Sequence, residues 1–166
     1  MNVEDMIKTI YSKIESLVNS NNSDEKNEII VETMKLMKEL GREQVVELMA
    51  DSDELVRNIA ARVYVDEYFD QSLDFLCDLL NHDDENVRDS AVISICYMNT
   101  PENLKVLEKA VKDTSNFVKL RALTGIADIA IDYSNKQAKE ILQNFLQSED
   151  IVIREFVNDE LSLMPA

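Results

Sequence analysis

The chain is poor in the residues from which turns and pockets are made. Its 166 residues include two glycines, two prolines and no tryptophan. Sheet folds place glycine and proline at many turns, so this scarcity predicts an all-helical protein. Neither Gly-rich phosphate loop, GxxxxGK or GxGxxG, occurs. A single histidine, His82, leaves almost no material for a His-based metal site or a His-driven triad. Cys77 and Cys96 lie within apolar helical patterns and read as buried free thiols rather than a disulfide or a metal pair. No apolar run approaches the ~18 residues of a membrane span. The N-terminal stretch MNVEDMIKTIYSKIE is charged throughout and lacks the apolar core of a signal peptide. These features predict a reducing, cytoplasmic setting. Basic residues are also few, 17 against 33 acidic, for a net charge of −16. Without a Lys/Arg cluster, direct binding to nucleic acid or to an anionic membrane is not expected.

What is present is a repeat. The segment DSDELVRNIAARVYV at Asp51–Val65 recurs as HDDENVRDSAVISIC at His82–Cys96 and DTSNFVKLRALTGIA at Asp113–Ala127. A looser copy, SEDIVIREFVNDELS, lies at Ser148–Ser162. Val56, Val87, Val118 and Ile153 are equivalent, at steps of 31, 31 and 35 residues. A period in this range marks a solenoid, in which each unit buries its apolar face on its neighbours. With 45% hydrophobic residues, the chain can build such a core.

About ten helices are expected. The first runs from Val3 to Val18, with Ile7, Ile10, Ile14, Leu17 and Val18 on one face. The second runs from Asp24 to Leu40 with Ile30, Met34 and Met37 as its stripe, and Gly41 caps it. Residues 1–41 thus form a helical pair, either a degenerate repeat or a cap. Residues 42–166 are expected to form four repeats in one continuous domain. In each repeat the first helix carries an i, i+4 apolar pair: Val45 and Met49, Leu76 and Leu80, Leu107 and Val111, Leu142 and Leu146. Thr100-Pro101 and the capping-box pattern beginning at Ser134 mark two helix starts. The second helices should be capped by Asp53, Asp84, Ser115 and Asp150. Their buried stripe continues through Ala60, Ala91, Ala122 and Val157 to Tyr64, Ile95, Ile126 and Leu161.

The pattern D-x-D-x-x-V-R-x-x-A-A at Asp51–Ala61 resembles the short bacterial HEAT repeats, the type also found in phycobilisome lyases. The second copy has His82 for the first Asp, the third has Ser115 and Lys119, and the fourth keeps mainly Asp150, Ile153 and Arg154. The resemblance covers about Arg42–Met164. It implies a right-handed α-solenoid of stacked hairpins, HEAT-like or armadillo-like. It also implies that the recurrent Arg57, Arg88, Lys119 and Arg154 tie neighbouring repeats together, with Asp51, Asp83 and Asp113 as acceptors.

No catalytic set, cofactor motif or metal-ligand spacing stands out. Acidic pairs such as Asp83-Asp84 sit at helix starts, where capping and the helix dipole account for them. The Asp-rich turns lack the glycine and closing Glu of an EF-hand. The expected function is a non-catalytic scaffold or adaptor, monomeric, binding a protein or peptide on the concave surface of its second helices. Variable positions there gather Asn58, Ile59 and Arg62 from one repeat, and Asp89, Ile93 and Tyr97 from the next. Leu120, Thr124 and Asp128 follow, then Glu155, Phe156 and Asp159. Apolar groups ringed by carboxylates suit a basic partner with apolar anchors. Two alternatives are an acidic immunity or inhibitor protein that neutralises a basic toxin or nuclease, and an accessory protein of the phycobilin-lyase kind.

Overall fold

The computed structural model describes residues 1–69 and 72–164, and among these every regular element is helical. Helices α1 (Val3–Asn19) and α2 (Ser23–Leu40) are followed by four short–long pairs. These are α3 (Arg42–Leu48) with α4 (Glu54–Tyr68), and α5 (Ser72–Leu79) with α6 (Glu85–Met98). Then come α7 (Leu104–Ala110) with α8 (Asn116–Asp132), and α9 (Lys136–Asn144) with α10 (Ile151–Leu163). The fold is all-α, of the α-solenoid class. The chain divides into two compact units, Met1–Phe75 and Leu76–Ala166, with the division within α5.

In Met1–Phe75, α2 packs on α1, α3 and α4. The apolar stripe of α1 is Met6, Ile10, Ile14 and Leu17; Val18, expected in it, is exposed. Met6 continues the helical period one turn before Ile10, whereas Val18 falls on the adjacent face. Gly41 ends α2 with φ of 89°, a region open to glycine, and α3 starts directly from it.

The repeat signature folds as expected except at Leu161, the end of the fourth stripe, which is half-buried. Asp53, Asp84, Ser115 and Asp150 cap α4, α6, α8 and α10, each accepting backbone N–H bonds. Val56, Val87, Val118 and Ile153 are buried, and Ala60, Ala91, Ala122 and Val157 are fully so. Two helix starts differ from expectation. Thr100 makes no side-chain cap, because Pro101 opens a 3-10 turn, Pro101–Asn103, before α7 begins. At α9 the cap is Asn135, whose side chain accepts from Ala138, while Ser134 takes a left-handed φ of 49°. The added residues of the last step lengthen α8 and α9.

In Leu76–Ala166, α8 is the central element and packs on α6, α7, α9 and α10. Gly125 lies in the middle of α8, where glycine costs about 1 kcal/mol relative to alanine. The close packing explains it: a Cβ there would run into Cys96 Sγ on α6 and come within 3.1 Å of Leu107 Cδ1 on α7.

Candidate functional site

The turns between paired helices share one hydrogen-bonding scheme. The first turn residue accepts the backbone N–H of the cap two positions on: Asp51 from Asp53 at 2.7 Å, His82 Nδ1 from Asp84 at 3.1 Å, Asp113 from Ser115 at 2.8 Å and Ser148 from Asp150 at 3.3 Å. An imidazole nitrogen replaces a carboxylate oxygen in this role, so His82 is a turn residue.

The recurrent cation closes the same turns. Arg57 Nη1 donates to the carbonyls of Asp51 and Ser52 at 2.8 and 3.1 Å. Arg88 Nη1 donates to His82 and Asp83 carbonyls at 2.8 and 2.9 Å, and Arg154 Nη1 donates to Ser148 O at 2.6 Å. Arg88 also reaches the next turn, with Nε and Nη2 forking onto both oxygens of Asp113 at 2.8 and 3.1 Å. Of the three expected acceptors, Asp113 offers its carboxylate, whereas Asp51 and Asp83 offer backbone carbonyls. Lys119 is too short for the reach and donates to Asn116 within its own helix. Desolvation opposes ionisation of Asp113, but the bonds from Arg88 and the Ser115 N–H, with Arg88's charge, hold its pKa below the ordinary value.

The expected binding residues divide by burial. On α4, Arg62 is exposed and pairs with Asp66 at 3.1 Å, and Asn58 is half-buried. In Leu76–Ala166, Tyr97, Thr124, Asp128, Glu155 and Asp159 are exposed, and Leu120 and Phe156 half-buried. Three residues expected at the surface are not there: Ile59 is 7% exposed, Ile93 4% and Asp89 0%. The cause is that α4 and α6 bury more than one stripe. Every residue from Asp89 to Ile95 is buried, so α6 is enclosed on all sides at its middle. The sequence carried this signal, since SAVISI offers only small or apolar groups over nearly two turns.

Asp89 therefore serves packing. Arg121 of α8 donates Nε to its Oδ1 at 3.3 Å, and the same guanidinium stands 5.4 Å from the centre of the Phe117 ring. The pair lies two and three residues beyond the repeat Val, level with Leu120 and Phe156. Thr124 and Asp159 stay open at mid-height, six residues beyond the repeat Val or Ile, and the other open residues lie towards the two ends. Leu120 and Phe156 sit two and three residues beyond the repeat Val or Ile, whereas Tyr97 and Asp128 sit ten beyond. At ~1.5 Å per residue, the two levels are about 10–12 Å apart along the helices. Burial raises the pKa of Asp128, and the neighbouring Asp132 adds to the shift.

Other links escaped sequence reasoning because their partners are far apart in the chain. Tyr133 Oη donates to Asn99 O at 2.7 Å, and Asn99 Nδ2 to Asp132 at 2.7 Å, joining the ends of α6 and α8. In Met1–Phe75, Tyr11 donates to Asp51, a bond that lifts the Tyr11 pKa to about 12. Arg42 lies 5.2–5.8 Å from the ring centres of Tyr64, Tyr68 and Phe75 and donates to Tyr64 Oη at 2.9 Å. Among the described residues no three His, Cys, Asp or Glu side chains converge as a metal site, and no helix is long and apolar enough to cross a membrane.

The model of HEAT repeats matches residues 42–127 and again 73–162, more than half of the chain. The chain belongs to the HEAT-repeat family. No curated protein matches it. The crystal structure of an engineered protein aligns with a TM-score of 0.52 at 21% identity, over 97% of this chain and 78% of that one. At that identity the likeness speaks for the fold alone. This HEAT-repeat chain is a helical repeat scaffold, of a family that is typically non-catalytic.

Proposed function

We propose that this protein is a non-catalytic adaptor that binds a protein or peptide through the second-helix face of its repeats. One observation carries the reading. Within Leu76–Ala166, adjacent helices α6, α8 and α10 leave Tyr97, Leu120 and Phe156 wholly or partly open, beside Asp128, Glu155 and Asp159. Apolar anchors with a carboxylate rim suit a partner segment carrying apolar side chains flanked by Lys or Arg. In its own unit, α4 offers Asn58 and Arg62 at the corresponding positions. The net charge of −16 favours a second reading, an acidic inhibitor of a basic toxin or nuclease. Its binding would fall steeply with salt, whereas binding through apolar anchors would fall gently.

The test is affinity capture from the source cell with mass spectrometry, followed by titration of the captured partner. Tyr97→Ala or Phe156→Ala should each weaken binding by roughly 1–3 kcal/mol. Folded variants that bind with unchanged Kd overturn the assignment of this face.

A further inference from the structure

On the opposite side of the repeats, the first helices of Leu76–Ala166 border a groove. A cavity of about 400 Å³ lies between α5 and α7. Leu80, Val106 and Ala110 give it an apolar lining. Lys109 and Lys112 stand on its α7 side and Asp78 on its α5 side. Lys105, Lys109 and Lys112 follow one another at i, i+4 and i+7, so they form one stripe along α7 and the turn after it. All three are exposed, and among the described residues none of them forms an ion pair. In a chain with nearly twice as many acids as bases, that is local charge segregation. Asp113 at the groove's end does not neutralise the lysines, because both of its oxygens are held by Arg88.

We propose that this groove docks an acidic segment of a partner protein. Carboxylates of the segment meet Lys109 and Lys112, with Lys105 extending the contact, and an apolar side chain between them rests on Leu80, Val106 and Ala110. Asp78 on the facing wall repels carboxylates, so it sets which edge of the segment faces α5. The surface is distinct from the Tyr97 face and does not depend on it. The two faces select partners of opposite charge, which fits an adaptor that joins two different proteins.

The test uses two fluorescein-labelled peptides, one alternating Glu with Leu and one alternating Lys with Leu, titrated by anisotropy into the full chain at low and at physiological salt. The Glu-Leu peptide should bind saturably. The double variant Lys109→Glu/Lys112→Glu should lose at least about tenfold in affinity for it. Asp78→Asn should tighten that binding, and Tyr97→Ala should leave it unchanged. Circular dichroism melts confirm that each variant is folded, which these exposed sites should allow. Absence of binding by the Glu-Leu peptide overturns the proposal. So does an equal loss from Lys136→Glu on α9, which would mean diffuse charge attraction, or stronger groove-dependent binding of the Lys-Leu peptide.

Discussion

In Leu76–Ala166 the ties between helices recur in step with the repeat. Arg88 reaches Asp113 in the next turn, Asn116 reaches the cap Asp150 at 2.5 Å, Arg121 reaches back to Asp89, and Tyr133 reaches back to Asn99. Sequence separations of 25 to 34 residues span these pairs, close to one repeat. Met1–Phe75 is tied differently. Tyr11 bonds Asp51, Lys13 pairs with Glu32, Lys38 pairs with Glu67 at 2.9 Å, and Arg42 lies against three aromatic rings. No common register relates these contacts. Where a hairpin follows the consensus, one set of side chains works again in each copy. Where the pair α1–α2 departs from it, each contact is specific to its place.

The sharpest test of that contrast is Arg88→Ala. It removes two carbonyl bonds and a forked ion pair whose side chains are only 12% and 10% exposed. The expected loss is about 2–4 kcal/mol, read from the urea midpoint, since a shielded pair is costly to break. A loss under about 1 kcal/mol would mean that the periodic ties do not dominate this unit. Because the Asp113 pKa is depressed in the folded state, its contribution is present above the unfolded value, near 3.8, and is lost as pH falls through the lower folded value. Asp113→Ala should flatten the acid limb of the stability curve in that window.

Next in size is Gly125→Ala. Its gain in helix propensity should be outweighed by the collision with Cys96, for a net loss of about 1–2 kcal/mol. Adding Cys96→Ala should restore most of it. Independent effects of the two substitutions would place the helix seam elsewhere.

For Met1–Phe75, Tyr11→Phe should cost about 1 kcal/mol by removing the bond to Asp51. Its pH signature is distinctive. Tyr11 holds its proton more tightly when folded, so the bond's contribution is full below pH 10 and disappears as pH rises from 10 through about 12. Across that range the wild type should lose its advantage over the variant. The smallest effect is expected from Asp128→Asn. The raised pKa means that the ionised carboxylate is disfavoured in the fold, so its removal should stabilise at neutral pH by about half a kcal/mol or less. If the proposed face is correct, the same change weakens binding of a basic partner.

The repeat register, the four caps and the buried Val–Ala frame were legible in the sequence because each depends on local chemistry repeated at a fixed interval. Asp89 was misread for the same reason. By position it belonged to the exposed face, yet it is fully buried in the enclosed middle of α6, with Arg121 of the next repeat bonded to it. Ile59 and Ile93 were misread because one stripe was assumed on helices that bury more. Gly125 was counted in the composition but not placed, since its role depends on Cys96 and Leu107 in neighbouring helices. Partner positions one repeat away, and specific to one repeat, leave no periodic trace in a single chain.

The contact between Gly125 and Cys96 also supplies a built-in clock. Desolvation, reinforced by the charge of Asp128, pushes the Cys96 thiol up to about 12. Alkylation requires the thiolate, so at neutral pH the half-buried Cys96 reacts slowly, and faster while α6 and α8 are momentarily apart. Cys77, on a different helix, is in no disulfide and acts as the internal reference. The ratio of the two labelling rates in one tube reads how often the seam opens, with no added reporter group. A partner that clamps α6 to α8 would slow that clock.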